Sequence, residues 1–163
     1  MRAALAGKMD STHNPFDQKI LDVLAVDGRI SVTTPAACIG LSNSSTQALM
    51  RRLESEGVIR GYRALCDPIR LGRDHVAFVE VKLSDTREAA LAAFNAAVLG
   101  IPAIEKCHMI AGSFDYLLKV RTGSMAAYRA VLAESVSTLP LVATTSTYVA
   151  MQAVKEDGVP PGL

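Results

Sequence analysis

Hydrophobic positions recur at two different periods along the chain, and the change falls near Arg73. Before it the spacing is helical. Phe16, Ile20, Leu21 and Leu24 make one stripe, which predicts an amphipathic helix from about Phe16 to Val26, ended by Asp27-Gly28-Arg29. A short second helix is expected over Thr33 to Ile39, where Pro35 is tolerated because first-turn amides lack partners anyway. Gly40 stops that helix and turns the backbone, and Ser42 is a good N-cap for a third. In the third helix Thr46, Met50 and Leu53 fall on one side with Leu49 at its edge, and Ser44, Gln47, Ala48 and Arg51 fall on the other. The first face is made for packing. The second is small, polar and partly basic, which suits the DNA major groove. Gly57 then ends the helix, and a short strand is expected in which Arg60 and Arg63 flank Tyr62. Helix, tight turn, helix and basic β wing make a winged helix-turn-helix.

Beyond Arg73 the period shortens to two. His75 to Leu83 alternates, with Ala77, Val79, Val81 and Leu83 on one face and Phe78, Glu80 and Lys82 on the other, so a strand is expected. Asp85-Thr86 can cap a helix from Arg87 to about Leu99, packed through Leu91, Phe94 and Val98. Ala103 to Ile110 and Tyr116 to Val120 are further strands, joined by the tight connection Gly112-Ser113-Phe114-Asp115. Ser124 can cap a helix running to about Leu139 on Tyr128, Val131, Leu132 and Leu139, and Pro140 ends it. Val142 to Val154 holds a last strand rich in Thr, Tyr and Val. The order β-α-β-β-α-β predicts a ferredoxin-like sandwich with both helices on one face. Its other sheet face needs cover, and symmetric pairing with a second copy is the usual solution. The fold class is therefore α+β. The expected layout is a flexible extension over 1–14, a DNA-binding domain over 15–63, a linker over 64–74, the sandwich over 75–157 and a Pro-rich tail over 158–163.

Composition adds little to this picture, and charge a little more. The 163 residues, half of them hydrophobic, suffice for one large domain or two small ones. The net charge of +1 is uninformative, but Arg51, Arg52, Arg60, Arg63, Arg70 and Arg73 lie close together, a local basic bias over the wing. Cys38, Cys66 and Cys107 are odd in number and lack C-x-x-C spacing, which fits a reducing cytoplasm better than a disulfide framework. No apolar run reaches transmembrane length, so no membrane role is expected. Cys107-His108 lacks metal-ligand spacing, and a strand pair with one side chain in and one out accounts for it. No nucleophile elbow and no phosphate loop appear, so neither an enzyme nor a cofactor is expected.

The span from Phe16 to Lys155 resembles the leucine-responsive/asparagine (Lrp/AsnC, feast/famine) family of transcriptional regulators. The resemblance rests on Asp17-Gln18-Lys19-Ile20-Leu21, Asp27-Gly28-Arg29-Ile30-Ser31, Gly40-Leu41-Ser42, Arg52-Leu53-Glu54 and Gly57-Val58-Ile59-Arg60-Gly61-Tyr62. Asp67-Pro68, Leu71-Gly72, Ala77-Phe78-Val79-Glu80-Val81, Asp115 to Val120 and Thr147-Tyr148 continue it in order. It implies an N-terminal DNA-binding domain and a C-terminal, ACT-like amino-acid-binding domain that forms dimers and often octamers. It also implies an effector seat near Gly112, Ser113, Phe114 and Asp115, where backbone amides would meet a carboxylate and Asp115 an ammonium. The chain departs from the family where Ser113 stands for a usual acidic residue, Leu49 for an arginine, Ala48 for a polar residue and Pro35 for a leucine. These departures imply altered specificity or weaker DNA binding.

On double-stranded DNA, Ser44, Gln47 and Asn43 are the expected base-edge contacts, since Gln can bond adenine bidentately. Arg51 is placed to reach a guanine or a phosphate, Ser42 and the helix N-terminus a phosphate, and Arg60 and Arg63 phosphates from the wing. Arg52 points elsewhere and is expected to make a structural salt bridge to Glu56. The function expected is a sequence-specific regulator of amino-acid metabolism genes tuned by a small amino acid. The alternative is an amino-acid-sensing adaptor with a degenerate DNA-binding domain.

Overall fold

The computed structural model describes residues 14–156; the extension before Asn14 and the tail after Glu156 lie outside the described residues. The chain divides into two compact units, with the boundary between Leu65 and Cys66. The first holds α1 (Pro15–Val26), α2 (Thr33–Ile39) and α3 (Asn43–Ser55). Asn14 belongs to this unit rather than to an extension. Its side chain accepts from the amides of Phe16 and Asp17, and its own amide donates to Asp17 Oδ2 at 3.0 Å. This reciprocal capping box fixes the start of α1. Ile20 and Leu53 are fully buried at the centre of the three helices, with Leu21, Leu24, Leu49, Met50 and Val58 packed around them. Each such burial stabilises by about 1.5–3 kcal/mol. Phe16, expected in the buried stripe, is exposed.

The second unit contains β1 (His75–Leu83), α4 (Glu88–Val98), β2 (Ile104–Met109), β3 (Tyr116–Thr122), α5 (Met125–Val131), a π turn over Leu132–Val136 and β4 (Val142–Val149). The strands form one antiparallel sheet in the order β2-β3-β1-β4. The inward residues Ala77, Val79, Val81, Leu118 and Val120 meet Phe94, Val98, Tyr128 and Val136 from the helices, and this layer is the core. Phe94 stacks on Tyr116 with ring centroids 4.3 Å apart.

Strands β2 and β3 differ from expectation by one or two residues at their ends, and three larger departures have a local reason. Helix α4 starts at Glu88, with Arg87 as its N-cap and no side-chain cap. The Asp85 carboxylate instead takes the amide and the guanidinium of Arg87, which holds its pKa below the usual carboxylate value. Helix α5 is regular only to Val131; a five-residue step, Ser137 N–H to Leu132 O at 2.8 Å, then swings Val136 fully into the core. Strand β4 stops at Val149, opposite Ala77, because β1 begins at His75 and leaves room for only one further bond, Ala150 N–H to Val76 O.

Candidate nucleic-acid interface and effector loop

The turn between α2 and α3 is built by Gly40, whose φ of +72° only glycine adopts without cost. Ser42 follows as the N-cap of α3, its Oγ accepting from Ser45 N at 3.2 Å, while Thr46 Oγ1 donates back to Ser42 O. The hydroxyl of Ser42 also lies 3.0 Å from that of Ser44. The first turn of α3 thereby presents Asn43, Ser44 and Gln47 outward, all exposed, with Ala48 and Arg51 on the same side. Arg51, Arg60 and Arg63 make no ion pair among the described residues, so their charge is available to a polyanion. Leu49 is half-buried against the helical core. The residue that looked like a lost polar contact is therefore a packing residue.

Behind this face stands an ion pair that helical spacing could not reveal. Arg52 Nη2 donates to both oxygens of Asp17, at 2.5 and 2.6 Å, and only secondarily approaches Glu56 at 3.8 Å. Asp17 is fully buried, and it ties the start of α1 to the last turn of α3. The sequence signal was the capping box Asn14-Pro15-Phe16-Asp17, which already placed an acid inside the first turn. The wing also differs from expectation. Residues 58–63 form no strand, since a strand needs a pairing partner and this segment has none among the described residues.

In the second unit the loop between β2 and β3 is framed by its own backbone. Ile110 N–H donates to Asp115 O and Asp115 N–H to Val81 O. The Asp115 carboxylate accepts from Leu83 N–H at 2.8 Å and lies 3.3 Å from Lys82 Nζ. It is thus engaged inside the domain by two neighbours from β1. The amides of Gly112, Ser113 and Phe114 donate to no protein group among the described residues. No group of acidic, histidine or cysteine side chains among the described residues could hold a metal ion. Cys107 faces the core side of β2, where burial pushes its thiol pKa up.

Residues 13–60 match the winged helix-turn-helix DNA-binding model, and residues 76–160 match the Lrp/AsnC ligand binding domain. The chain belongs to the Lrp/AsnC family. These are DNA-binding transcriptional regulators that respond to amino acids. The chain is 56% identical over 144 residues to a proline dehydrogenase transcriptional activator of Rhizobium radiobacter, covering 88% of this chain and 92% of that protein. It is 54% identical to a proline dehydrogenase transcriptional activator of Rhodobacter capsulatus, covering 88% and 94%. Among solved structures, a transcriptional regulator of Neisseria meningitidis in complex with L-Met aligns with a TM-score of 0.83 at 26% identity, covering 92% of this chain and 97% of that one. The Lrp/AsnC architecture agrees with the α+β arrangement described above: a winged helix-turn-helix followed by a four-stranded antiparallel sandwich.

Proposed function

We propose that this Lrp/AsnC regulator activates transcription of a proline dehydrogenase gene and takes proline as its effector. The supporting observation is the 56% identity to a proline dehydrogenase transcriptional activator over nearly the whole chain. Proline is the amino acid that the enzyme in that relative's name oxidises, and regulators of this family respond to amino acids. On DNA, Asn43, Ser44 and Gln47 are assigned to base edges, and Ser42 with the first-turn amides of α3 to a phosphate. Arg60 and Arg63 are assigned to phosphates on either side of the wing tip. The effector carboxylate is assigned to the undonated amides of Gly112, Ser113 and Phe114, in a loop that Asp115 holds in shape.

The working particle is proposed to be a homo-oligomer in the cytoplasm. Supporting this, Phe78 and its register partner Tyr148 are 38% and 54% exposed on the sheet face away from the helices. The adaptor alternative loses one of its motives, because Leu49 faces the core.

Titration of the full chain on the region upstream of the proline dehydrogenase gene, with a panel of amino acids, tests the proposal. Site-preferring binding whose affinity or footprint proline alone alters is expected. Binding equal on scrambled DNA, or insensitive to proline, would remove the target or the effector respectively. Within the same assay, Arg51→Ala is expected to cost about 1–3 kcal/mol on the site, as for a base-reading arginine. An equal loss on scrambled DNA would reassign Arg51 to a phosphate.

A further inference from the structure

Residues 66–74, which join the two units, are counted by their contacts in the second. Asp67-Pro68 opens a wound turn there. Asp67 Oδ1 accepts from Ile69 N–H at 2.9 Å, Leu71 N–H donates to Asp67 O, Gly72 N–H to Ile69 O, and Arg73 N–H to Pro68 O at 2.8 Å. The turn then runs along residues 121–123, where β3 ends. Arg121 Nη1 donates to Arg73 O at 3.0 Å, while its Nε donates to Glu105 Oε1 at 2.6 Å. Gly72 O lies so close to Gly123 that a Cβ there would stand 2.6 Å away, nearer than a side chain allows. His75 Nδ1 meets Thr122 Oγ1 at 3.2 Å and closes the seam. Arg121 is only 7% exposed, and its charge is balanced by Glu105. Glu105 sits where the β2–β3 register shifts between Ile104 and Lys106, and such a bulge re-aims a side chain. The guanidinium fork serves a carboxylate and a carbonyl together from fixed positions, which the point charge of a lysine does not.

We infer that Arg121 is a positioning residue for DNA binding: with Gly123 it clamps residues 67–73 to the ligand-binding domain, so that this domain sets the separation at which two DNA-binding units of one oligomer meet the duplex. The inference rests on the proposal that the working particle is a homo-oligomer. A slack connection lets each DNA-binding unit search a volume. A clamped one shortens the free chain and narrows that search, and the second contact with DNA then gains from a higher effective concentration at one separation.

Two variants open the clamp from opposite sides. Arg121→Lys keeps a cation beside Glu105 and gives up the bond to Arg73 O, while Gly123→Ala drives a methyl against Gly72 O and touches no charge. Hydrogen exchange of the full chain reads the clamp itself. The amides of Leu71, Gly72 and Arg73 should exchange about tenfold faster in either variant, the factor one lost bond to a charged donor supplies. The amides of Val79 and Val120, inside the β1–β3 ladder, should keep their protection. Each protein is then titrated on the DNA site that the unaltered chain selects from random duplexes. The two halves of the site are held at their selected separation or pushed apart by half a turn, roughly five base pairs. The insertion should cost the unaltered chain about tenfold or more in affinity, and the variants about threefold or less.

Unchanged protection of residues 71–73 in both variants would overturn the clamp. Faster exchange there, with the full cost of the insertion retained, would overturn its role in DNA binding. A cost lost in Arg121→Lys but kept in Gly123→Ala would trace the effect to Glu105 and not to the linker, and would overturn the positioning role as well. A selected site with a single half, or an unaltered chain indifferent to the insertion, would show that no fixed pair of units meets DNA. The positioning role would then fall with the homo-oligomer reading.

Discussion

Arg52→Ala is expected to destabilise the DNA-binding unit by about 3 kcal/mol, near the low end of the range for removing one partner of a buried ion pair. The asymmetry of the pair sets the expectation. Asp17 has 1% of its side chain exposed, whereas Arg52 has 42%. Deleting the guanidinium takes two short charged bonds from a carboxylate inside the helical core, although the Asn14 amide still donates to it. Deleting the carboxylate charge, as in Asp17→Asn, leaves a guanidinium that water can serve, so a smaller cost of about 1–2 kcal/mol is expected. Denaturant unfolding followed by hydrogen exchange reads both amounts and their location. Amides of α1 and α3 should lose protection in Arg52→Ala, while those of β1 and β3 keep it. The reverse order of cost, with Asp17→Asn the worse, would mean that the capping box and not the ion pair carries the energy. DNA affinity should fall with stability in Arg52→Ala, because this pair sets how α3 is held against α1. A domain has only about 5–15 kcal/mol in hand, so the loss is a large share of it.

Phe94→Ala should act on the other unit, and by more: about 3–5 kcal/mol, the usual cost of emptying an aromatic site in a core. Phe94 is fully buried on α4, and its ring lies 4.3 Å from that of Tyr116. The cavity would open beneath the first residue of β3, next to Asp115. Tyr116 would lose its stacking partner, and the bonds of Asp115 to Leu83 N–H and Lys82 would lose their rigid support. Effector binding should therefore weaken together with stability, while the helices of the first unit keep their exchange protection. Phe94→Leu retains most of the volume and should cost less than about 1.5 kcal/mol. Calorimetry on the two variants checks the ranking. A Phe94→Ala loss as small as that of Phe94→Leu would show that α4 settles into the gap, and the link from core to loop would be abandoned.

Much of the architecture follows from the order of residues alone. Period and capping chemistry are local properties, and they placed Thr33–Ile39 and His75–Leu83 at their observed bounds. They also placed the caps at Ser42 and Ser124, because each hydroxyl accepts from an amide three residues away. The outward set Asn43, Ser44, Gln47 and Arg51 was legible for the same reason: a helix converts spacing directly into a face. The resemblance of the motifs placed the whole chain in its family, as the matches over 13–60 and 76–160 bear out.

Contacts between distant segments were decided only by the tertiary structure. Spacing along α3 pointed Arg52 at Glu56, four residues on, yet its short bonds go to Asp17, 35 residues earlier. Spacing put Leu49 only at the edge of the apolar face and the resemblance made it a missing arginine, whereas packing on the Ile20, Ile39 and Leu53 cluster made it part of the core. Residues 58–63 have the composition of a strand but pair with nothing among the described residues, and Tyr62 bonds Glu54 and lies on Gly28. The bonds of the Asp115 carboxylate to Lys82 and Leu83 come from a strand more than 30 residues earlier, beyond what its own neighbours in sequence could show. The physical reason is common to all four. Secondary structure depends on neighbours in sequence, but the partner of a charge, a ring or an unpaired backbone depends on which surfaces burial brings together.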